Sequence, residues 1–334
     1  MCLNHFFSLV IGLSVMTEPS TALDEPLSGT TNSQPVVEVE RAGIGLDLGE
    51  KRVPKWSGGA LVVVEETDVE LPVIHVFGRD GTLLSSVRLA IPQANRIIPR
   101  AFAQASDGTL AVAGSAYTGD LRGAQYLAVV SGDGPRQHVI RMNPFGAFAI
   151  EIAPDGAIWM AGVEREKGEE LNPNHKMIRH FNASRELLGA YIPRSSLPSN
   201  DLESPVEDSF LVSSRDRIGW YSNLARIYIE FSLDGRVLTR VAGVPVEEPD
   251  RVTGFGLCDD GGVFASAVVF APGAKRPDRL EVYALNRGHG SWELVLRDNS
   301  LGPGGYGSLL GCDSSDLVML RGGELRFLRP ANVP

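Results

Sequence analysis

Short apolar runs alternate with tight polar turns along most of the chain, and this pattern predicts a repeated unit of four strands. In the clearest copy, residues 148–153 and 157–162 form strand-like runs around an Asp155-Gly156 turn, and a second hairpin turns at residues 182–184. Asp-Gly between alternating apolar runs is a strong hairpin signal because both residues tolerate the backbone angles of a tight turn. About fifty residues for each copy, in roughly six copies, predict a β-propeller.

Two kinds of hairpin alternate in the pattern. The first kind is apolar on both arms, and its turns fall at Gly59, Gly108, Gly156, Arg217, Gly261 and Ser315. The second kind is more amphipathic, and its turns fall at Gly81, Gly134, Ser184, Gly235 and His289. A strand that is buried on both faces has a continuous apolar run, whereas a half-exposed strand alternates. We therefore expect the first kind near the axis and the second kind at the rim.

The two ends of the chain predict how the ring closes. Six hairpins of the first kind but only five of the second are complete, and one strand, residues 324–328, follows the last hairpin. The isolated strand at residues 35–40 can complete this last blade and so remove an exposed edge. The predicted fold is all-β, a six-bladed propeller of four-stranded antiparallel blades, in a single domain over residues 35–330.

Some blade segments carry a family resemblance. Residues 105–110 and 228–235 resemble blade segments of six-bladed propellers of the NHL and TolB-like kind. The resemblance extends over residues 35–330 and concerns the blades in general. The NHL pattern of Asp and Asn after the second strand is absent. The resemblance therefore implies a fold and no site residues.

The N-terminus predicts export. An apolar run at residues 6–16 is too short for a membrane helix, which needs about 20 residues, and small residues end at Ala22. We interpret residues 1–22 as a secretory signal and residues 23–34, which are polar and rich in Pro and Gly, as a flexible leader. No Lys or Arg precedes the apolar run, so a misplaced start or a buried strand remains an alternative. The expected location is secreted or periplasmic.

Cysteine placement and charge limit the partners. Cys258 and Cys312 occupy matching points of two consecutive copies, and an oxidising compartment would permit a disulfide between them. Matching points on adjacent blades need not come within the roughly 7 Å between Cα atoms that a disulfide requires, so two buried thiols remain the alternative. A net charge of -10 disfavours nucleic acid and anionic membrane as partners. We expect a monomer that does not insert into a membrane once its signal is removed.

The topology predicts where a ligand would bind. In an up-and-down blade the short turns lie on one face of the ring and the long links between strands lie on the other. Function usually resides on loops held by a rigid frame, so we expect a ligand near the axis on the long-link face. The candidate residues at this axial mouth, near the starts of inner strands, are Arg100, Asp208, Arg251 and Tyr306. The alternative, which the sequence favours because no motif supports a ligand, is that these four are loop-end residues that bind nothing.

Two functions remain open. The first is a non-catalytic binding protein for a protein, peptide or carbohydrate, without a cofactor, because no catalytic motif is present. The second is a metal-assisted hydrolase or lactonase with Ca²⁺ in the axial channel; enzymes of this type have a similar fold but place Glu, Asn and Asp at the starts of inner strands. The corresponding positions here are Phe102, Phe148, Phe210, Phe255 and Ser308, with Glu151 and Asp208 the nearby acids. Because Ca²⁺ takes six to eight oxygen ligands, we favour the first function.

Overall fold

The computed structural model describes residues 36–44, 52–65, 71–119, 123–133, 136–164, 174–198, 209–247, 250–299, 307–321 and 323–330. The predicted signal at residues 1–22 and leader at 23–34 lie outside these residues. The described part of the chain is built from strands, with one short 3₁₀ turn at Arg194–Ser196. No helix in this part has the length and apolar character needed to cross a membrane.

The described residues form six four-stranded antiparallel sheets, which are the blades of a propeller. Each blade runs from an inner strand at the axis to an outer strand at the rim. Blade 1 contains β2 (Arg52–Ser57), β3 (Ala60–Glu65), β4 (Val73–Phe77) and β5 (Leu83–Arg88). Blade 2 contains β6 (Arg96–Gln104), β7 (Leu110–Tyr117), β8 (Gly123–Val130) and β9 (Gln137–Arg141). Blade 3 contains β10 (Phe145–Ile152), β11 (Ile158–Glu164), β12 (Lys176–Phe181) and β13 (Leu187–Pro193).

The other three blades repeat this order, and the last one takes its outer strand from the N-terminal side of the chain. Blade 4 contains β14 (Ser209–Ser213), β15 (Arg217–Ser222), β16 (Ile227–Ser232) and β17 (Val237–Ala242). Blade 5 contains β18 (Arg251–Leu257), β19 (Val263–Phe270), β20 (Pro277–Asn286) and β21 (Ser291–Asp298). Blade 6 contains β22 (Ser308–Asp313), β23 (Asp316–Arg321), β24 (Glu324–Pro330) and β1 (Val36–Gly43).

The ring closes as predicted, because β1 pairs antiparallel with β24 and completes blade 6. Arg79, in the β4–β5 turn of blade 1, ties the two sides of this closure together. Its guanidinium forms ion pairs with Glu40 of β1 at 2.6 Å and with Asp316 of β23 at 3.1 Å. It also lies 4.0 Å from the centre of the Phe327 ring in β24. The strand nearest the N-terminus is therefore held both by its ladder and by the neighbouring blade.

Burial confirms the two kinds of hairpin. The second strands β3, β7 and β11 are buried along nearly their whole length, whereas the outer strands β5 and β17 are mostly exposed. Buried apolar side chains form six clusters, and each cluster lies between two neighbouring blades. Packing between blades therefore supplies the apolar core of the ring.

The Asp-Gly turns have the backbone that the sequence predicts. Gly108 and Gly156 have φ values of +84° and +81°, a conformation that side chains other than glycine's rarely adopt. In the same turns Asp107 and Asp155 accept hydrogen bonds from the backbone N–H two residues later, at 2.8 and 3.0 Å. The predicted beginning of β10 at residue 148 is wrong by three residues, because the ladder with β11 already starts at Phe145.

Candidate functional site

The six inner strands surround an axial channel, and the part of the channel nearer the long links is open as a cavity. Its volume is about 270 Å³, and every inner strand contributes to its lining. Each inner strand begins at the face of the long links and ends at a short turn, although the link that precedes β10 is only residues 142–144. The lining stops at least one residue before the short-turn end of every inner strand, and in β14 and β22 it begins with the first residue, Ser209 and Ser308. The cavity therefore belongs to the face on which a ligand was predicted.

Four phenylalanines give the cavity its apolar character. Phe102, Phe148, Phe210 and Phe255 come from the inner strands of blades 2, 3, 4 and 5. Phe102 and Phe255 are buried, whereas Phe148 and Phe210 are only partly buried. The rings of Phe210 and Phe255 are stacked, with 6.4 Å between their centres. These are the positions at which the sequence carries aromatic residues in place of metal-binding acids.

A few polar groups interrupt the apolar lining. Arg100 lines the cavity and is exposed, and the Thr253 hydroxyl lies 3.4 Å from that of Ser266. Ser209 is only 8% exposed, and its Oγ has no hydrogen-bond partner among the described residues. A buried hydroxyl without a partner is costly, so such groups call for an explanation. The Ser209 hydroxyl is consequently the polar atom that the protein itself leaves unsatisfied at this cavity.

The floor of the cavity is a lysine that crosses the axis. Lys55 extends from β2 in blade 1, and its ammonium donates to the carbonyls of Ile150 in blade 3 and Leu211 in blade 4, at 2.6 and 3.3 Å. It also pairs with the Glu151 carboxylate, with 2.7 Å between Nζ and Oε2. An ammonium has three hydrogens, and these three acceptors can use all of them. Lys55 thus joins blade 1 to the opposite side of the ring.

The Glu151 carboxylate is held from the side of the short turns. Its side chain is 4% exposed. Its Oε1 lies 3.1 Å from the Ser57 hydroxyl and 3.4 Å from that of Ser213. The Ser57 Oγ in turn accepts a hydrogen bond from the backbone N–H of Gln104 at 3.1 Å, and its one hydrogen has two acceptors within reach, the Glu151 carboxylate and the Gln104 carbonyl at 2.9 Å. Carboxylate, ammonium and hydroxyls therefore satisfy one another, and the buried Ser57 hydroxyl is not presented to the cavity as a nucleophile.

Similarity to solved structures is confined to the fold. The chain is similar to a member of the DUF4221 family from Bacteroides vulgatus, with 12% identity, a TM-score of 0.51 and coverage of 90% of this chain and 98% of that one. A protein of unknown function from Dyadobacter fermentans is similar with 12% identity, a TM-score of 0.50 and coverage of 89% and 99%. No protein-family model and no curated protein matches the sequence. At such identities the similarity shows a six-bladed propeller and no function.

The four residues predicted at the axial mouth differ in where the structure places them. Arg100 lines the cavity. Arg251 is exposed at the start of β18 and is not among the lining residues. Asp208 and Tyr306 lie outside the described residues. The structure therefore brings one of the four to the cavity and leaves the roles of the others as predictions.

Lys55 and Ser209 are the site residues that the sequence reasoning missed. Lys55 lies four residues before the predicted turn at Gly59, and Ser209 lies beside the predicted Asp208. A signal for Lys55 was present, because a charged residue on an inner strand must meet a partner when it is buried. Its partner Glu151, a lone acid in an apolar run, carried the same signal.

The two cysteines form a bridge between neighbouring blades. Cys258 and Cys312 are joined by a disulfide with 5.1 Å between their Cα atoms, across a sequence separation of 54 residues. Both lie at the short-turn ends of inner strands, after β18 in blade 5 and within β22 in blade 6. Of the two alternatives that the sequence left open, the structure contains the disulfide.

The histidines are not arranged for metal binding in the part of the chain described. His175 and His180 are both buried, and His180 stacks on Trp159 with 4.1 Å between ring centres. The described residues contain no group of three or more His, Cys, Asp or Glu side chains that could hold a metal ion. Burial lowers the pKa of His180 below its ordinary value, with a smaller opposing influence from Asp155.

Proposed function

We propose that this protein is an exported, non-catalytic β-propeller that binds a protein or peptide ligand on its long-link face. The observation that carries the proposal is the apolar axial cavity of about 270 Å³ on that face. A ligand's apolar side chain would enter the cavity, while the rest of the ligand would lie across the links. Concave, largely apolar sites with a few polar groups are the usual form of binding pockets.

The polar groups at the axis support binding over catalysis. Glu151 adjoins the lining residue Ile150, and its carboxylate pairs with Lys55 and lies within hydrogen-bond distance of two serine hydroxyls. A general base or metal ligand needs a lone pair that can be used, and an ammonium at 2.7 Å competes for it. The calcium-dependent hydrolase or lactonase considered as the alternative therefore gains no support from the described residues.

The composition of the lining supports a protein or peptide over a carbohydrate. The cavity offers four phenylalanine rings and few polar side chains. Sugars carry many hydroxyls, and each one needs a hydrogen bond when it is removed from water. An aliphatic or aromatic side chain has no such need and gains about 25 cal/mol for each Å² of apolar surface buried.

Export is supported by two independent features. The N-terminal apolar run fits a secretory signal, and the Cys258–Cys312 disulfide is of a kind that persists in oxidising compartments. The blade segments also resemble those of the NHL and TolB-like propellers, which supports a similar construction of the blades. Expression with the native N-terminus should yield a mature protein that has lost residues 1–22, and an intact mass that retains them would contradict export.

The binding proposal can be tested by selecting peptides from a random display library on the folded protein. The selected peptides should share an aliphatic or aromatic residue. Their affinity should fall at least about tenfold on the Phe210→Ala variant, because truncating a buried aromatic anchor typically costs 2 kcal/mol or more. Phe148→Ala should act in the same direction, and circular dichroism would verify that both variants are folded.

The control is a large apolar residue at the rim of blade 1, away from the axis. Leu84 lies on the outer strand β5 and is 61% exposed, so Leu84→Ala removes apolar surface far from the cavity and should leave peptide affinity unchanged. Selected peptides that bind wild type and Phe210→Ala equally, or a selection that enriches no peptide, would overturn the proposal.

A further inference from the structure

We infer that the axial cavity recognises a group that is apolar and also carries a carboxylate, an inference that rests on the proposed function. The basis is the joint placement of aromatic rings, an exposed arginine and one unsatisfied hydroxyl in the lining. The shared chemistry has two sources, the C-terminal residue of a peptide or a free aromatic acid.

The charges of the lining favour an anion. Lys55 and Arg100 are both lining residues, whereas none of the described lining residues is Asp or Glu. The protein as a whole has 41 acidic and 31 basic residues, so the lining departs from the overall balance. A cleft with one sign of charge and low-dielectric walls concentrates ligands of the opposite charge. A cationic ligand group would be disfavoured for the same reason.

Of the two members of the ion pair at the floor, Lys55 is a lining residue of the cavity, whereas Glu151 is not. The Glu151 carboxylate is instead enclosed by Ser57 and Ser213 near the short-turn ends of their strands. Because the pair is neutral as a whole, the preference for a carboxylate depends on Arg100 and Ser209.

The hydroxyl of Ser209 supplies the second, independent observation. This residue is more than nine-tenths buried, lines the cavity, and has no partner for its Oγ within the described residues. A serine hydroxyl can donate one hydrogen bond, and a carboxylate oxygen is a strong acceptor. A ligand carboxylate between Ser209 and Arg100 would satisfy this hydroxyl.

The volume of the cavity fits a single ring with a small polar group. An apolar cavity of about 150 Å³ is sufficient to bind benzene, and the axial cavity measures about 270 Å³. The four phenylalanine rings provide edges and faces against which a further aromatic ring can pack. A phenyl group together with a carboxylate is therefore within the size that the cavity admits.

The experiment compares three probes that share one aromatic body and differ in charge. N-acetylphenylalanine is anionic, N-acetylphenylalanine amide is neutral, and phenylalanine amide is cationic. Calorimetric titration should show the anion binding at least about tenfold more tightly than the neutral amide, the size expected for a hydrogen bond to a charged group. The cationic probe should bind most weakly.

Variants identify the groups that recognise the carboxylate. Arg100→Ala and Ser209→Ala should each lower the affinity for the anion about tenfold and leave the neutral amide nearly unchanged. Arg141→Ala is the matched control, because Arg141 is an exposed arginine at the end of β9 in the same blade as Arg100 and does not line the cavity. It should leave all three affinities unchanged. Melting curves would verify that each variant is folded.

The outcomes separate this inference from the proposed function. Equal binding of the three probes, or a preference for the amine, overturns the carboxylate inference and leaves an apolar binding site in place. Absence of binding by all three also overturns it, and the peptide selection then decides the proposed function separately. A pentapeptide ending in phenylalanine, with a free or amidated C-terminus, distinguishes the sources: a preference for the free peptide over N-acetylphenylalanine indicates a peptide terminus, and the reverse indicates a free acid.

Discussion

The two ends of the axial channel are built from the same six strands but differ in what their side chains leave unsatisfied. At the long-link end, partly buried phenylalanines line a cavity, and the hydroxyl of the lining residue Ser209 has no hydrogen-bond partner among the described residues. At the short-turn end, Lys55 and Glu151 neutralise each other, and serine hydroxyls enclose the carboxylate. The disulfide between Cys258 and Cys312 lies toward this same end.

The difference separates stability from binding. A sequence that specifies one fold satisfies its buried polar groups, and exceptions are expected at functional sites. The short-turn end follows this rule for its buried charges, which are paired, but the Gln104 Oε1 and the Ser214 Oγ there also have no partner among the described residues. The long-link end departs from it at Ser209. We therefore expect changes at the short-turn end to alter the free energy of unfolding, and changes at the cavity to alter ligand affinity.

The largest expected effect comes from removing one member of the ion pair. Lys55→Met leaves the Glu151 carboxylate, 4% exposed, without its cation. Breaking a buried pair in this way typically costs about 3–5 kcal/mol. Denaturant unfolding monitored by tryptophan fluorescence should show this loss at pH 7.

A double variant sharpens the same test. Lys55→Met combined with Glu151→Leu removes both charges, and replacing a buried ion pair by apolar residues is often neutral or stabilising. The double variant should therefore recover most of the stability that Lys55→Met loses. A single variant as stable as wild type would show that the pair does not hold the short-turn end.

The next effect in size concerns the disulfide. Cys258→Ser combined with Cys312→Ser should lower the free energy of unfolding by about 2–4 kcal/mol, because the unfolded chain gains conformational freedom when the crosslink is lost. The affinity of the cavity for its probes should remain unchanged, since neither cysteine lines it. Thermal unfolding of wild type with and without reductant provides a second measurement, and a change confined to ligand affinity would contradict the separation of the two ends.

Much of the fold could be predicted from the sequence because its signals are local. The Asp-Gly turns require glycine in the left-handed region, and the paired apolar runs between them identify the inner hairpins. Counting six inner hairpins and an isolated strand at each end was sufficient to predict the pairing of β1 with β24. Strand boundaries were less certain, as β10 shows, because the residues before Phe148 are apolar as well and extend the ladder.

The site was less predictable because its contacts join distant parts of the chain. Lys55 and Glu151 are 96 positions apart in the numbering, and only the closed ring brings β2 opposite β10 and β14. Arg100 was predicted at the mouth from its place near a strand start, and the same reasoning selected Arg251, which lies outside the cavity lining. Position along a strand thus identifies the face of the ring but not the direction of a side chain.

The smallest expected effect is the part of the pH dependence of the unfolding free energy that comes from His180, which lies across the sheet of blade 3 from Glu151. In blade 3, Glu151 pairs with Trp159, and Trp159 pairs with His180, so the three residues form one row across the sheet. Neither ring nitrogen of His180 has a partner among the described residues. Burial lowers the pKa of His180 from its ordinary value of 6.5, and Asp155 opposes the shift.

The sign of the effect follows from proton linkage. Below pH 6.5 the unfolded chain takes up a proton on His180 more readily than the folded chain does. The stability contributed by the neutral ring is therefore complete above pH 6.5 and is lost as the pH falls toward the lowered pKa. His180→Phe should remove this part of the pH dependence, which for one proton cannot exceed about 1.4 kcal/mol per pH unit. His138→Gln, at an exposed position on β9, is the control and should leave the slope unchanged. If the unfolding free energies of wild type and His180→Phe fall in parallel between pH 7 and 5, the buried row does not carry the proton-linked stability assigned to it.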